Sequence, residues 1–252
     1  MKNTANYEIY FPVVAFALLA LVVFLDLKFD MLRDSSTATK KPYSFAKVQL
    51  AFWLIIILSG FVTIIICIGN HDIPTFANST LIILGISTGT LTAGRLIDVS
   101  DQKNPSITRS QDEEGEGFLL DILSDENGVS LHRLQCLLFN LIIGGWFCFK
   151  ILFNLGLAVA NAKFNISLIL PDVTPNNLVL LGISSGTYIA LKTNENKPVS
   201  APVANADAGQ NNQVINPIAQ IQQGAAVLNA VAKIEPEFIK DEATFNGNPA
   251  AG

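Results

Sequence analysis

The stretch 48–69, "VQLAFWLIIILSGFVTIIICIG", runs without a charged residue. About 20 such residues wound as a helix cross the ~30 Å hydrocarbon core of a bilayer, where a helix satisfies its own backbone hydrogen bonds. This commits the chain to membrane helices. Four further apolar segments, 10–27, 80–97, 134–160 and a short 178–191, extend the pattern. Composition agrees: 50% of the 252 residues are hydrophobic and 15% charged, outside the range of an ordinary soluble domain. The expected fold class is an all-α integral membrane protein with five transmembrane helices, its first partner being the lipid bilayer.

The first segment differs from a cleaved leader. Only Lys2 precedes it, and "LDLKFDMLRD" after it has no small-x-small cleavage site. It reads as a retained helix. Lysine and arginine then set the orientation. Lys28, Arg33, Lys40, Lys41 and Lys47 follow helix one; Arg95, Lys103, Arg109 and Arg133 surround the loop after helix three; Lys192 and Lys197 follow helix five. With five alternating spans these fall on one side, against Lys2 and Lys163 on the other. The amino terminus is expected outside and the carboxyl terminus in the cytoplasm. Asparagine, lysine and isoleucine usage points to an AT-rich bacterium, hence to its inner (cytoplasmic) membrane.

The chain writes one sentence twice. "ILGISTGTLTAGR" (83–95) is echoed by "LLGISSGTYIALK" (180–192), and "YSFAKVQLAF" (43–52) by "VSLHRLQCLLF" (129–139). Ser44 matches Ser130, Lys47 matches Arg133, Gln49 matches Gln135, and Arg95 matches Lys192. Two copies of a helical hairpin are expected, helices two and three and then four and five. Each copy starts and ends on the cytoplasmic side, so the repeat is parallel, with its pseudo-two-fold axis along the membrane normal. Helix one stands outside it. The expected divisions are an N-terminal helix (1–30), a first hairpin (31–97), an acidic cytoplasmic loop (98–129), a second hairpin (130–192) and a flexible tail (193–252).

The repeated sentence carries the candidate site. Gly85 and Gly89, like Gly182 and Gly186, lie four apart on one helix face, and Ala93 and Ala190 continue that stripe. Small residues let helix backbones approach in lipid, and hydroxyls bond across. Ser87, Thr88, Thr90, Ser184, Ser185 and Thr187 supply those hydroxyls. The plain reading is helix packing, within the bundle or in a homo-oligomer. The sharper one is a pore or binding path, since paired glycine-interrupted segments in two repeats mark transporter sites; the absence of Asp, Glu or His in mid-span argues against it. Lys47, Gln49, Arg95, Arg133, Gln135 and Lys192 form an interfacial basic and polar set. Asn140, Asn154 and Lys150 occur only in the second copy, and Lys150 is expected to snorkel to the far interface.

Cys67, Cys136 and Cys148 lie in apolar runs without metal spacing, so neither disulfides nor a metal site is expected. In "SDENG", taking Gly128 as the sixth residue of a calcium loop would put Leu123 first and Leu134 last, which excludes the motif. His71 and His132 come with no nucleophile, second ligand or phosphate loop, so no cofactor and no enzyme are expected. The acidic cluster Asp112, Glu113, Glu114 and Glu116 with a net charge of −5 disfavours nucleic acid. That cluster precedes apolar Phe118, Leu119, Leu120, Ile122 and Leu123, reading as a solvated loop before an interfacial turn, or a dock for a basic partner. The tail begins as a Pro/Asn/Ala-rich linker. Ile218, Ile221, Val227, Leu228, Val231 and Ile234 then recur near helical spacing.

Two functions follow as expectations. One is a non-enzymatic, oligomeric membrane scaffold or anchor that recruits a soluble cytoplasmic partner through its tail and acidic loop. The other is an oligomeric ion channel lined by the glycine and hydroxyl helices.

Overall fold

The computed structural model describes residues 7–68, 76–104, 112–125, 128–160 and 168–193. His71, Lys163, Arg109 and the tail helix expected around 218–234 lie outside the described residues. Helix dominates: α1 (Tyr7–Phe29), α2 (Phe45–Ile68), α3 (Asn78–Gln102), a short α4 (Phe118–Leu123), α5 (Leu131–Ala160) and α6 (Pro175–Lys192). Two two-residue strands, β1 (Ser124–Asp125) and β2 (Gly128–Val129), pair antiparallel between α4 and α5.

Among the described residues four helices are long and apolar enough to cross a membrane: Ile9–Phe29, Phe45–Cys67, Asn78–Gln102 and Leu131–Ala160. The chain is therefore mostly helical and has the composition of a multi-pass membrane protein. The expected fifth span is a helix, α6, but it is not among the four. Asn176, Asn177, Ser184, Ser185, Thr187 and Lys192 dilute its apolar residues. At the other end of the bundle α3 runs on past Ile97 to Gln102, where a loop was expected. Asp98 and Asp101 both fall on its buried face, so ionic contacts continue the helix where apolar ones stop.

α2 is the hub. It packs against α1, α3 and α5, while α6 packs against α3 and α5. α2 thus lies on α5, and α3 on α6. The main core runs through Trp53, Ile57 and Ile64 of α2, Ile83 of α3, Phe147, Ile151 and Leu155 of α5, and Leu181 of α6. Trp53 stands edge-on to Phe147, ring centroids 6.0 Å apart, and its Nε1–H donates to Asn140 Oδ1 at 2.7 Å. Asn140 therefore stitches α5 to α2.

Where α2 meets α5 the backbones are held close by single glycines. A Cβ at Gly144 would run into the Phe52 ring, and one at Gly60 would lie 2.8 Å from Cδ1 of Ile151. Neither belongs to the repeated glycine motif. α1 shows the opposite character: Val13, Phe16, Leu21, Phe24 and Leu27 are exposed, and among its described side chains only Phe11 and Asp26 are buried. An apolar helix with so little of itself covered needs lipid around it.

Candidate functional site

The polar residues gather at one end of the bundle, where α1, α3 and α6 finish and α2 and α5 begin. Lys192, the last residue of α6, is buried with its side chain 4% exposed. Its Nζ lies 3.1 Å from Oδ1 of Asp98 on α3 and 3.8 Å from Oδ2 of Asp34 in the turn before α2. Burying a charge is costly unless it is paired and hydrogen-bonded, so this arrangement fixes the end of α6 against α3 and that turn together. Gly94, one turn before Asp98, makes room: a Cβ there would touch the Lys192 stem at 3.9 Å.

A second cluster ties α1 to α2. Asp26, buried in the last turn of α1, accepts from the Leu32 N–H at 2.9 Å, with Arg33 Nε 3.9 Å from its other oxygen. Arg33 donates to the Lys41 carbonyl and to the Tyr43 hydroxyl, and its guanidinium carbon lies 4.4 Å from the Tyr43 ring centre. Lys41 Nζ bonds Asp30 at 2.9 Å; that hydrogen bond holds the Asp30 carboxyl below the usual carboxylate range. Burial pushes the Tyr43 hydroxyl up from its ordinary value.

Two turns at this end match bond for bond. Before α2, Ser44 N donates to Leu32 O, Arg33 pairs with Tyr43, and Lys47 Nζ donates to Arg33 O. Before α5, Ser130 N donates to Leu123 O, Ser124 pairs with Val129, and an Arg133 guanidinium N–H donates to Ser124 O. The segments leading in are alike too, "FDMLRD" (29–34) and "LDILSD" (120–125). The likeness thus reaches back into the last turn of α1 and into α4, beyond the spans where it was first apparent. The turns also interlock: Tyr43 N donates to Asp121, Gly115 N donates to Lys40 O, and Asp112 and Glu114 accept from the backbone N–H groups of Thr37, Thr39 and Lys40. Two of the four clustered acids are therefore engaged by the chain itself.

The remaining site residues divide between inside and outside. Ser87, Thr90, Ser184 and Ser185 are buried, and Gly182 is half-buried. Gly85, Gly89 and Gly186 lie on exposed faces, with nothing within 4 Å of where a Cβ would stand. Thr88 and Thr187 are exposed beside them, and Thr187 Oγ1 donates to the Ile183 carbonyl one turn back. α3 and α6 thus meet through their serine faces and not through Gly85, Gly89 or Gly186. Gln49 is buried and its amide donates to Ser185 Oγ at 3.2 Å, whereas its counterpart Gln135 is exposed. Arg95, counterpart of buried Lys192, is exposed and reaches Ser35 Oγ. The matched hydroxyls of Ser87 and Ser184 are both buried without a hydrogen-bond partner.

Ser130 Oγ lies 2.7 Å from Nδ1 of His132. Both sit at the start of α5, where Ser130 O also accepts from Leu134 N, so the contact belongs to the helix start. Among the described residues no group of three or more His, Cys, Asp and Glu could hold a metal ion. No family model, no curated protein and no solved structure matches the chain.

Proposed function

We propose that the chain is a non-enzymatic multi-pass anchor of a bacterial inner membrane that assembles with copies of itself and recruits a soluble cytoplasmic partner through residues 193–252. The observation that carries the oligomer is the outward glycine face: Gly85, Gly89 and Gly186 are open where backbone-to-backbone contact with another protomer is cheapest. Thr92 and Thr187 turn their hydroxyls back onto their own helices, to the Thr88 and Ile183 carbonyls, which leaves the glycines open to a second copy.

In this reading α6 is a fifth span and the two hairpins are copies in parallel orientation. Its 18 residues reach roughly 27 Å at 1.5 Å each, and its polar side chains Ser184, Ser185 and Lys192 are turned into the bundle, away from lipid. The basic residues put the polar end in the cytoplasm and the amino terminus outside. Recruitment falls to the tail more than to the acidic loop, because Asp112 and Glu114 are already bonded to the 37–40 backbone.

The test is oligomer mass in nanodiscs for the wild type and a Gly89→Leu/Gly186→Leu double variant, alongside partner recovery with residues 201–252 deleted. The double variant should run as a monomer, and the deletion should lose the partner while keeping oligomer mass. An unchanged oligomer, or recovery that survives the deletion, would sink the corresponding half of the proposal. A second reading, a channel through the hydroxyl faces, draws on the unpartnered Ser87 and Ser184 hydroxyls. Ion flux into liposomes that the double variant abolishes would put it first.

A further inference from the structure

At the end of the bundle opposite Lys192 a cavity of about 480 Å³ opens between the start of α3, the second half of α5 and the segment entering α6. Its volume is that of a small-molecule site. Two opposite charges line it, Lys150 of α5 and Asp172, and neither is ion-paired, with each other or elsewhere among the described residues. Lys150 Nζ instead lies 5.6 Å from the centre of the Phe153 ring, a contact that leaves its protons available.

The wall carrying Asp172 is built and not merely draped. Ile169, Leu170 and Val173 on either side of it are buried. Asn154 Nδ2 donates to the Leu168 and Ile169 carbonyls at 2.8 and 3.3 Å, and Val173 N donates to Ser79 Oγ of α3 at 2.9 Å. The exposed carboxylate of Asp172 is thus held at the rim with its backbone fixed from two directions. Asn78 adds an amide at the first turn of α3, and Trp146 adds an indole one turn before Lys150.

Depth decides what kind of molecule could enter. Lys150 stands about 28 Å along α5 from Leu131 at 1.5 Å per residue, close to one hydrocarbon thickness, where a bilayer's interface lies. Tryptophan and lysine are the side chains that settle at that level. Exposed Phe149, Phe153 and Leu168 flank the opening with apolar surface suited to an acyl chain.

We propose that this cavity binds the headgroup of a zwitterionic phospholipid, its phosphate on Lys150 and Asn78 and its ammonium on Asp172. A ligand with both charges is chosen because an anionic headgroup would face the Asp172 carboxylate without compensation, and a cation would face Lys150. The site is separate from the glycine face and from the polar end of the bundle, so it stands or falls independently of the function proposed above.

The experiment is native mass spectrometry of the full chain purified from vesicles of equal phosphatidylethanolamine and phosphatidylglycerol. The wild type should retain the ethanolamine lipid preferentially. Lys150→Gln should lower that retention about tenfold, the effect of one charge-assisted hydrogen bond. Asp172→Asn should remove the ammonium's partner and turn the preference towards the glycerol lipid. Phosphoethanolamine and inorganic phosphate, added to the delipidated protein, separate a lipid site from a soluble one: both should bind too weakly to survive transfer. Equal retention by Lys150→Gln, a wild type that prefers the glycerol lipid or holds none, or retention of free phosphate would each overturn the proposal. The wild-type selectivity decides the matter even where a variant fails to fold.

Discussion

The two turns that lead into α2 and α5 share a backbone and differ in what their side chains hold. Both fold a Leu carbonyl onto a Ser N–H and place a basic side chain, Lys47 or Arg133, on the carbonyl beyond. Yet Asp30 of the first turn, itself exposed, pairs with the side chains of Lys41 and Arg33, while its counterpart Asp121 accepts three backbone N–H groups and joins one turn to the other. The same divergence recurs at the helix ends, where Arg95 is exposed and Lys192 buried. Similar local sequence dictates the turn; position in the bundle dictates which charge is covered.

That contrast is broken most severely at Lys192. Lys192→Met removes the cation between Asp98 and Asp34 and leaves buried carboxylate behind, a loss of about 3–5 kcal/mol. Arg95→Met, at the matched position, should stay within about 0.5 kcal/mol. Denaturant unfolding in micelles compares them, and equal losses would refute the assignment of the buried role to one copy.

Two adjacent glycines of the second hairpin give the next largest difference. Gly144→Ala pushes a methyl into Phe52 and should cost about 1–3 kcal/mol, whereas Gly145→Ala meets open space and should cost nothing. Thermal unfolding of the pair reads this directly; matching melting temperatures would mean that α2 does not cross α5 at Gly144. Between the turns, Asp121→Ala strands the Tyr43, Glu116 and Gly117 N–H groups and should cost about 1–2 kcal/mol, as the loss of a helix cap does. Increased amide exchange should appear at Tyr43, in the other turn; exchange confined to 116–121 would show that the turns are not coupled.

The smallest effect is a titration. Because the folded Asp30 carboxyl lies below its unfolded value, its contribution is complete above roughly pH 4 and fades as pH falls through the folded value. Lys41→Met should move the Asp30 carboxyl upward towards the ordinary range, followed by carbon NMR. A titration indifferent to Lys41 would remove the pair from the account.

Much of this was legible in the sequence, but unevenly. Long apolar runs mark α1, α2 and α5 because lipid leaves a backbone few alternatives. The helix of α3 continues past Ile97 to Gln102, because Asp98, which in the sequence looks like a loop residue, is covered by Lys192 of α6. The glycine motif marks faces that could pack, and it does not say against what: Gly85 and Gly89 face outward while solitary Gly60 and Gly144 make the close crossing. That choice depends on how far α2 is rotated about its axis, which Phe52, Trp53 and Ile56 determine together and which spacing alone does not encode. The second turn was detectable in principle, since "FDMLRD" and "LDILSD" agree at Asp, Leu and Asp, but the likeness falls outside the apolar runs.

The ion pair at the end of α6 also imposes an order in time. Asp34 and Asp98 are synthesised long before Lys192, at about 5–20 residues per second, so on the order of ten seconds pass before this cation reaches them. The end of α6 is therefore the last piece of the polar end to be set, and a ribosome stalled before that codon leaves Asp34 and Asp98 without the lysine that lies between them.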